Sequence, residues 1–134
     1  MRKLLMTLTG ILVVGILTAC STPQSASTAV SYQKISAEQA KSRMDSGDAI
    51  IVVDVRTQEE YNESHIKGAV LIPNETITTE NPEALPDKDA EILVYCRSGN
   101  RSAQAAQKLA EMGYTNVKDF GGITNWPYET VSEG

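Results

Sequence analysis

The sequence predicts an α/β domain of three layers: a mostly parallel, five-stranded sheet with helices on both faces. Three observations carry this reading. Ile50-Ile51-Val52-Val53 and Ile92-Leu93-Val94-Tyr95 are continuous apolar runs, too short for helices and suited to strands buried on both sides. Two capping boxes, Ser36-Ala37-Glu38-Gln39 and Thr57-Gln58-Glu59-Glu60, open helices before and after the first of these runs. Strand and helix signals then alternate along the rest of the chain, as they do where helices cross between parallel strands.

Tyr32–Ile35 is a short strand candidate. The helix opened at Ser36 should close at Gly47, where glycine suits a left-handed stop. After the run at 50–53, a short helix forms near Tyr61. Ala69–Ile72 reads as a strand stopped by Pro73, and residues 74–89, interrupted by Pro82 and Pro86, read mostly as loop. Ile92–Tyr95 is the central strand. Ser102–Met112, rich in alanine and followed by Gly113, is a helix, and Val117–Phe120 is the last strand before Gly121-Gly122.

Composition bounds the function. The 134 residues allow one ordinary domain. With 12 Lys+Arg against 17 Asp+Glu, the net charge is −5, which argues against a nucleic-acid binder that neutralises phosphates. Two cysteines allow at most one disulfide, and no cluster has zinc-ligand spacing.

The first residues form a separate unit. Arg2 and Lys3 precede an apolar stretch from Leu4 to Leu17, and Leu17-Thr18-Ala19-Cys20 follows. A basic start, a short apolar run and small residues before a cleavage point make a signal peptide over residues 1–19. The last four residues resemble the bacterial lipoprotein box. That resemblance implies that Cys20 becomes the new N-terminus, is diacylated on its sulfur, and anchors the protein to the extracytoplasmic side of a bacterial membrane. Removing residues 1–19 takes away Arg2 and Lys3 and no acid, so the charge falls from −5 to −7. Residues 20–31 then form the lipidated N-terminus and a tether. Ser21–Ser31 holds no charge and no aromatic, and as a flexible coil its ends would lie about 18 Å apart. The remaining domain spans residues 32–131.

Ligands of such sheets bind beyond the carboxyl ends of the strands. There the central strand leads into Cys96-Arg97-Ser98-Gly99-Asn100-Arg101-Ser102, which enters the next helix. Successive N–H groups of such a loop can curl into an anion-binding nest supported by the helix dipole. Gly99 supplies the freedom for the curl. Two arginines and no acid occupy the loop of an otherwise acidic protein, a setting that favours a thiolate at Cys96. If Cys20 is lipidated, Cys96 is also the one free thiol of an exported chain, and it has no resolving partner.

These residues, with others in order along the chain, resemble a single-domain rhodanese. The matching segments are Val53-Asp54-Val55-Arg56 with Glu59-Glu60-Tyr61, then His65-Ile66-Lys67-Gly68-Ala69, then Ile72-Pro73. The Cys96–Ser102 loop and Gly121-Gly122-Ile123 with Trp126 complete the set. The resemblance implies a sulfurtransferase in which Cys96 takes a sulfane sulfur as a persulfide and passes it to cyanide or a thiol. It also implies that Arg97, Ser98, Gly99, Asn100, Arg101 and Ser102 bind the substrate, and the double displacement it implies calls for no metal or organic cofactor. Thiosulfate-specific members carry basic residues at both positions after the cysteine, whereas here Ser98 takes the second.

The other candidates are weaker. Asp54 and Arg56 are candidate support for the site, with a structural Asp–Arg pair as the simpler reading. His65 is expected to shape the fold, and Trp126 to pack. Glu59, Glu60 and Glu63 read as a solvated helix face. The expected partners are a small sulfur donor, an acceptor and, through Cys20, a membrane, for a protein acting as a monomer. Three other readings stand beside this one: a non-catalytic sulfur carrier or binding module on the same fold, a thiol-redox surface protein, and a phosphatase or arsenate reductase. Cysteine phosphatases place five residues between cysteine and arginine, and Arg101 follows Cys96 after only four.

Cys20→Ala is expected to move the protein out of the membrane fraction or to block its processing, because stable anchoring needs at least two acyl chains. The mass of the mature N-terminal peptide checks this, and a wild-type Cys20 without lipid contradicts it.

Overall fold

The computed structural model describes residues 30–133, together with the isolated Gly10 and Gly15. The signal peptide expected over 1–19, Cys20 and the tether as far as residue 29 otherwise lie outside the described residues. Five strands form one parallel sheet: β1 (Gln33–Lys34), β2 (Ile50–Asp54), β3 (Val70–Leu71), β4 (Glu91–Cys96) and β5 (Val117–Gly122). Their spatial order is β1-β5-β4-β2-β3, which puts β4 at the centre. Three α-helices connect them: α1 (Ala37–Met44), α2 (Gln58–Glu63) and α3 (Asn100–Glu111). The expected three-layer α/β arrangement is the observed one.

Both capping boxes form. The Ser36 and Thr57 hydroxyls accept from the backbone N–H of Gln39 and Glu60, whose side chains accept from the cap backbone in return. The outer strands β1 and β3 are only two residues long, shorter than their apolar runs suggest. The segment after Pro73 is mostly loop, with one 3-10 turn at Asn74–Thr76.

Period-two alternation along β4 divides the core. Ile92, Val94 and Cys96 face α3, whose Ala105, Ala106 and Leu109 are fully buried against them. Leu93 and Tyr95 face the opposite side and join Ala40 of α1, Ile66, Phe120 and Trp126. Ser102, Ala105, Ala106 and Leu109 follow the i, i+3, i+4, i+7 spacing of a single helix face, and the small residues among them let α3 lie close to the sheet. Cys96 therefore belongs to the α3 side, at the carboxyl end of the central strand.

Asp54 and Arg56 sit on the other face. Asp54 pairs in register with Tyr95 and accepts from the Tyr95 hydroxyl at 2.8 Å, from the Arg56 N–H at 2.9 Å and from Arg56 Nη2 at 2.7 Å. Arg56 Nη2 also donates to the Ser64 carbonyl at 2.6 Å, and the Ile66 N–H donates to the Tyr95 oxygen at 3.0 Å. Burial opposes the Arg56 charge, but the hydrogen bonds and charge of Asp54 outweigh it and raise the guanidinium above its ordinary value. Burial, together with the Asp54 charge, pushes the Tyr95 hydroxyl far up, so it stays a proton donor. Strand alternation turns Asp54 away from the Cys96 side, and Arg56 pairs with it on that opposite face. The pair ties the ends of β2 and β4 to the segment at 64–66.

Because both charges are buried, Asp54→Ala should cost about 3–5 kcal/mol of stability by leaving the Arg56 charge uncompensated. Chemical denaturation checks this, and a loss under about 1 kcal/mol contradicts it.

Candidate active site

Cys96 ends β4 and is 1% exposed. Its sulfur accepts from the Gly99 N–H at 2.9 Å, which closes the loop back over the strand end. The thiol donates to Ser102 Oγ at 3.5 Å, and the Ser102 hydroxyl in turn donates to the carbonyls of Gly99 at 3.0 Å and Gly121 at 3.3 Å. Gly99 makes the curl possible with a φ of +108°, a left-handed conformation that disfavours any side chain.

The loop is shorter than the sequence suggests. Gly99 is the N-cap of α3, so Asn100, Arg101 and Ser102 form its first turn. The first helical bond runs from the Ala103 N–H to the Gly99 carbonyl at 3.2 Å, and the N–H groups before it remain for an anion. All seven predicted loop residues, Cys96 to Ser102, come together at one place, with Arg97, Ser98 and Asn100 exposed and Ser102 buried.

The opposite wall of the loop comes from β5. The β4–β5 register shifts between Val94, which faces Asp119, and Cys96, which faces Gly122, so β5 carries one extra residue there. This bulge forms around Gly121, whose φ is +88° and whose N–H donates to Asp119 Oδ1 at 2.9 Å. It brings Gly122 directly beneath the loop: a Cβ on Gly122 would lie 2.1 Å from the Arg97 carbonyl oxygen. Thr124 completes the seat by donating from its hydroxyl to that same oxygen at 3.0 Å.

The electrostatics differ from the expectation of two unopposed arginines. Arg101 is bound end-on by Glu60, with Nη1–Oε2 at 2.7 Å and Nη2–Oε1 at 2.9 Å. Glu60 is therefore no solvated helix residue. Its Oε2 also accepts from the Thr57 N–H at 3.0 Å. The Arg101 guanidinium, aided by Thr57, holds the Glu60 carboxyl at about 2, down from 4.5. The pair accordingly contributes fully above pH 4.5 and is lost as pH falls through about 2. Glu60, and to a lesser degree the nearby charges of Cys96 and Glu75, raise Arg101 in turn.

The remaining candidates lie elsewhere. His65 stacks on Tyr61 with ring centroids 3.7 Å apart and its Nδ1 lies 2.8 Å from the Tyr61 carbonyl, a packing role. Trp126 packs against Phe120 and Tyr128. It also borders a groove of about 650 Å³, which holds none of the loop residues; a smaller groove of about 300 Å³ runs beside Ser98, Asn100 and Asp119. Among the described residues, no group of three or more His, Cys, Asp and Glu side chains is placed to hold a metal.

The rhodanese-like domain family matches residues 36–128. Thiosulfate sulfurtransferase PspE of Escherichia coli is 42% identical over 71 residues, covering 53% of this chain and 68% of PspE. A sulfurtransferase of Allochromatium vinosum is 35% identical over 94 residues, covering 69% of this chain and 86% of the relative. The putative sulfur carrier protein YrkF of Bacillus subtilis is 34% identical over 107 residues, covering 79% of this chain and 57% of YrkF. Among solved structures, a rhodanese with anions from E. coli superposes with a TM-score of 0.58 at 39% identity, covering 63% of this chain and 99% of that one.

Gly122→Ala should push the Arg97–Ser98 backbone off its seat and weaken the Gly99 contact to the sulfur. Alkylation of Cys96 at neutral pH is then expected to slow by roughly ten-fold, the effect of one hydrogen bond to a charged group. Gly47→Ala, remote from the loop, is the control; an unchanged rate in Gly122→Ala contradicts the account.

Proposed function

The chain belongs to the rhodanese-like family of sulfurtransferases, and from that premise we propose that Cys96 carries sulfur as a persulfide from a donor such as thiosulfate to a thiol or cyanide. The observation that carries this reading is the sulfur of Cys96, held 2.9 Å from the Gly99 N–H at the entry to α3.

In the first half-reaction the Cys96 thiolate attacks the outer sulfur of thiosulfate. A new S–S bond forms, the donor's S–S bond breaks, and sulfite leaves with the electron pair. The amides of the α3 first turn bind the donor anion and then the terminal sulfur of the persulfide, acting as fixed dipoles that need no reorganisation. In the second half-reaction cyanide or a thiolate attacks that terminal sulfur and leaves Cys96 as the thiolate again. The two halves share no ternary complex, so ping-pong kinetics are expected. Arg97 meets the donor at the exposed side of the loop, while Ser102 positions the sulfur from the buried side.

The size of the curl argues for sulfur over phosphorus. With Gly99 already in contact with Cys96 and four residues between Cys96 and Arg101, the ring of amides suits a bare terminal sulfur better than a phosphorus atom and its oxygens. A second reading, a sulfur carrier without turnover of its own, is favoured by the 1% exposure of Cys96. It predicts persulfide loading without release to the acceptors tried. The resemblance of Leu17-Thr18-Ala19-Cys20 to the lipoprotein box supports a tether through Cys20 to the extracytoplasmic face of a membrane.

Wild type is expected to transfer sulfur from thiosulfate to cyanide and to leave aryl phosphates intact, while Cys96→Ser loses the transfer and keeps its melting temperature. Phosphate hydrolysis by the wild type, or transfer retained by Cys96→Ser, contradicts the proposal.

A further inference from the structure

We propose that Glu60 is a positioning residue for the sulfur site: it holds the Arg101 guanidinium against α2 and so limits the positive charge that the loop offers to a donor. The proposal rests on the sulfur-transfer reading and adds a donor class to it. Donors of low charge, such as thiol persulfides, are favoured over dianionic thiosulfate.

The geometry makes Glu60 a prepared clamp. Thr57 fixes its carboxylate from the α2 N-terminus through the N–H at 3.0 Å and the hydroxyl at 3.2 Å, so little freedom is lost when it meets Arg101. The side chains are 29% and 22% exposed, so water screens the pair only in part. Arg101 immediately precedes Ser102, whose hydroxyl touches the Cys96 sulfur. Glu60 thus decides whether a full positive charge or a neutral pair stands beside the reacting atom.

The charged groups around the loop are Arg97 and Arg101, Glu60 of α2, Glu75 of the 3-10 turn, and Asp119 of β5 with Lys34 of β1 along the groove beside Ser98 and Asn100. Three positive and three negative charges cancel. A dianion approaching the loop gains little from side chains and depends on the backbone amides. A persulfide monoanion needs less positive charge, and its terminal sulfur fits the same ring.

The test compares wild type, Glu60→Gln, Arg101→Gln and the double variant. Gln at position 60 preserves the helix cap while removing the charge. In Glu60→Gln the KM for thiosulfate is expected to fall about 3- to 5-fold, the size of an interaction between partly exposed charges, with a smaller change for 2-hydroxyethyl persulfide, a monoanion. The pH profile of Cys96 alkylation should move to lower pH in Glu60→Gln and to higher pH in Arg101→Gln. The effect of Glu60→Gln should be much smaller when Arg101 is already Gln. An unmoved alkylation profile, or an equal effect of Glu60→Gln in both backgrounds, overturns the proposal and leaves Glu60 a helix cap. Alkylation requires no turnover, so a protein that accepts no sulfur refutes the transfer reading while the profile still decides the role of Glu60.

Discussion

The sulfur site depends on two backbones approaching more closely than any side chain allows. Gly122 of β5 lies so near the Arg97 carbonyl that a Cβ would sit 2.1 Å from its oxygen. That contact lets the loop after β4 fold down onto the sheet instead of standing away from it. Once seated, the loop is held by Thr124 on the Arg97 carbonyl and by Ser102 bridging Gly99 and Gly121. The Gly99 N–H then has one place to point, at the Cys96 sulfur. The bulge at Gly121 is what delivers Gly122 to this position, so an irregularity of the sheet becomes the floor of the site.

The rest of the molecule keeps that geometry still. Cys96 is the last residue of the central strand, and Tyr95 before it is locked by Asp54 and by the Ile66 N–H. The buried Asp54–Arg56 pair therefore works as a brace behind the sheet. On the loop side, the bond between Glu60 and Arg101 joins the start of α3 to the start of α2. The two ion pairs differ in kind: one is fully buried and holds strands together, and the other borders the loop and sets its charge.

Much of the fold was legible because its determinants are local. The apolar runs at 50–53 and 92–95, the capping boxes at Ser36 and Thr57, and the glycines at 47 and 113 each act through neighbours a few residues away. The loop from Cys96 to Ser102 was legible for the same reason, being one continuous segment between a strand and a helix. What escaped the sequence depends on distant pairs. Glu60 reads as one acid of a solvated helix until the fold brings Arg101 to it across 41 residues. The bulge at Gly121 and the clash at Gly122 arise from the register between β4 and β5, which no local pattern encodes. Asp54 and Arg56 read as a structural pair from the sequence, and only the face they occupy waits on the pairing of Asp54 with Tyr95. The early start of α3 has a similar origin: Gly99 caps the helix in a left-handed conformation without any side-chain signal.

The most direct measurement is the intact mass of the protein after thiosulfate and again after cyanide, with the modified peptide located. Cys96 is expected to gain one sulfur atom and to lose it on adding cyanide, as an equivalent amount of thiocyanate appears. A protein whose mass is unchanged by thiosulfate and by a thiol persulfide, or one that carries the added sulfur on a residue other than Cys96, would contradict it.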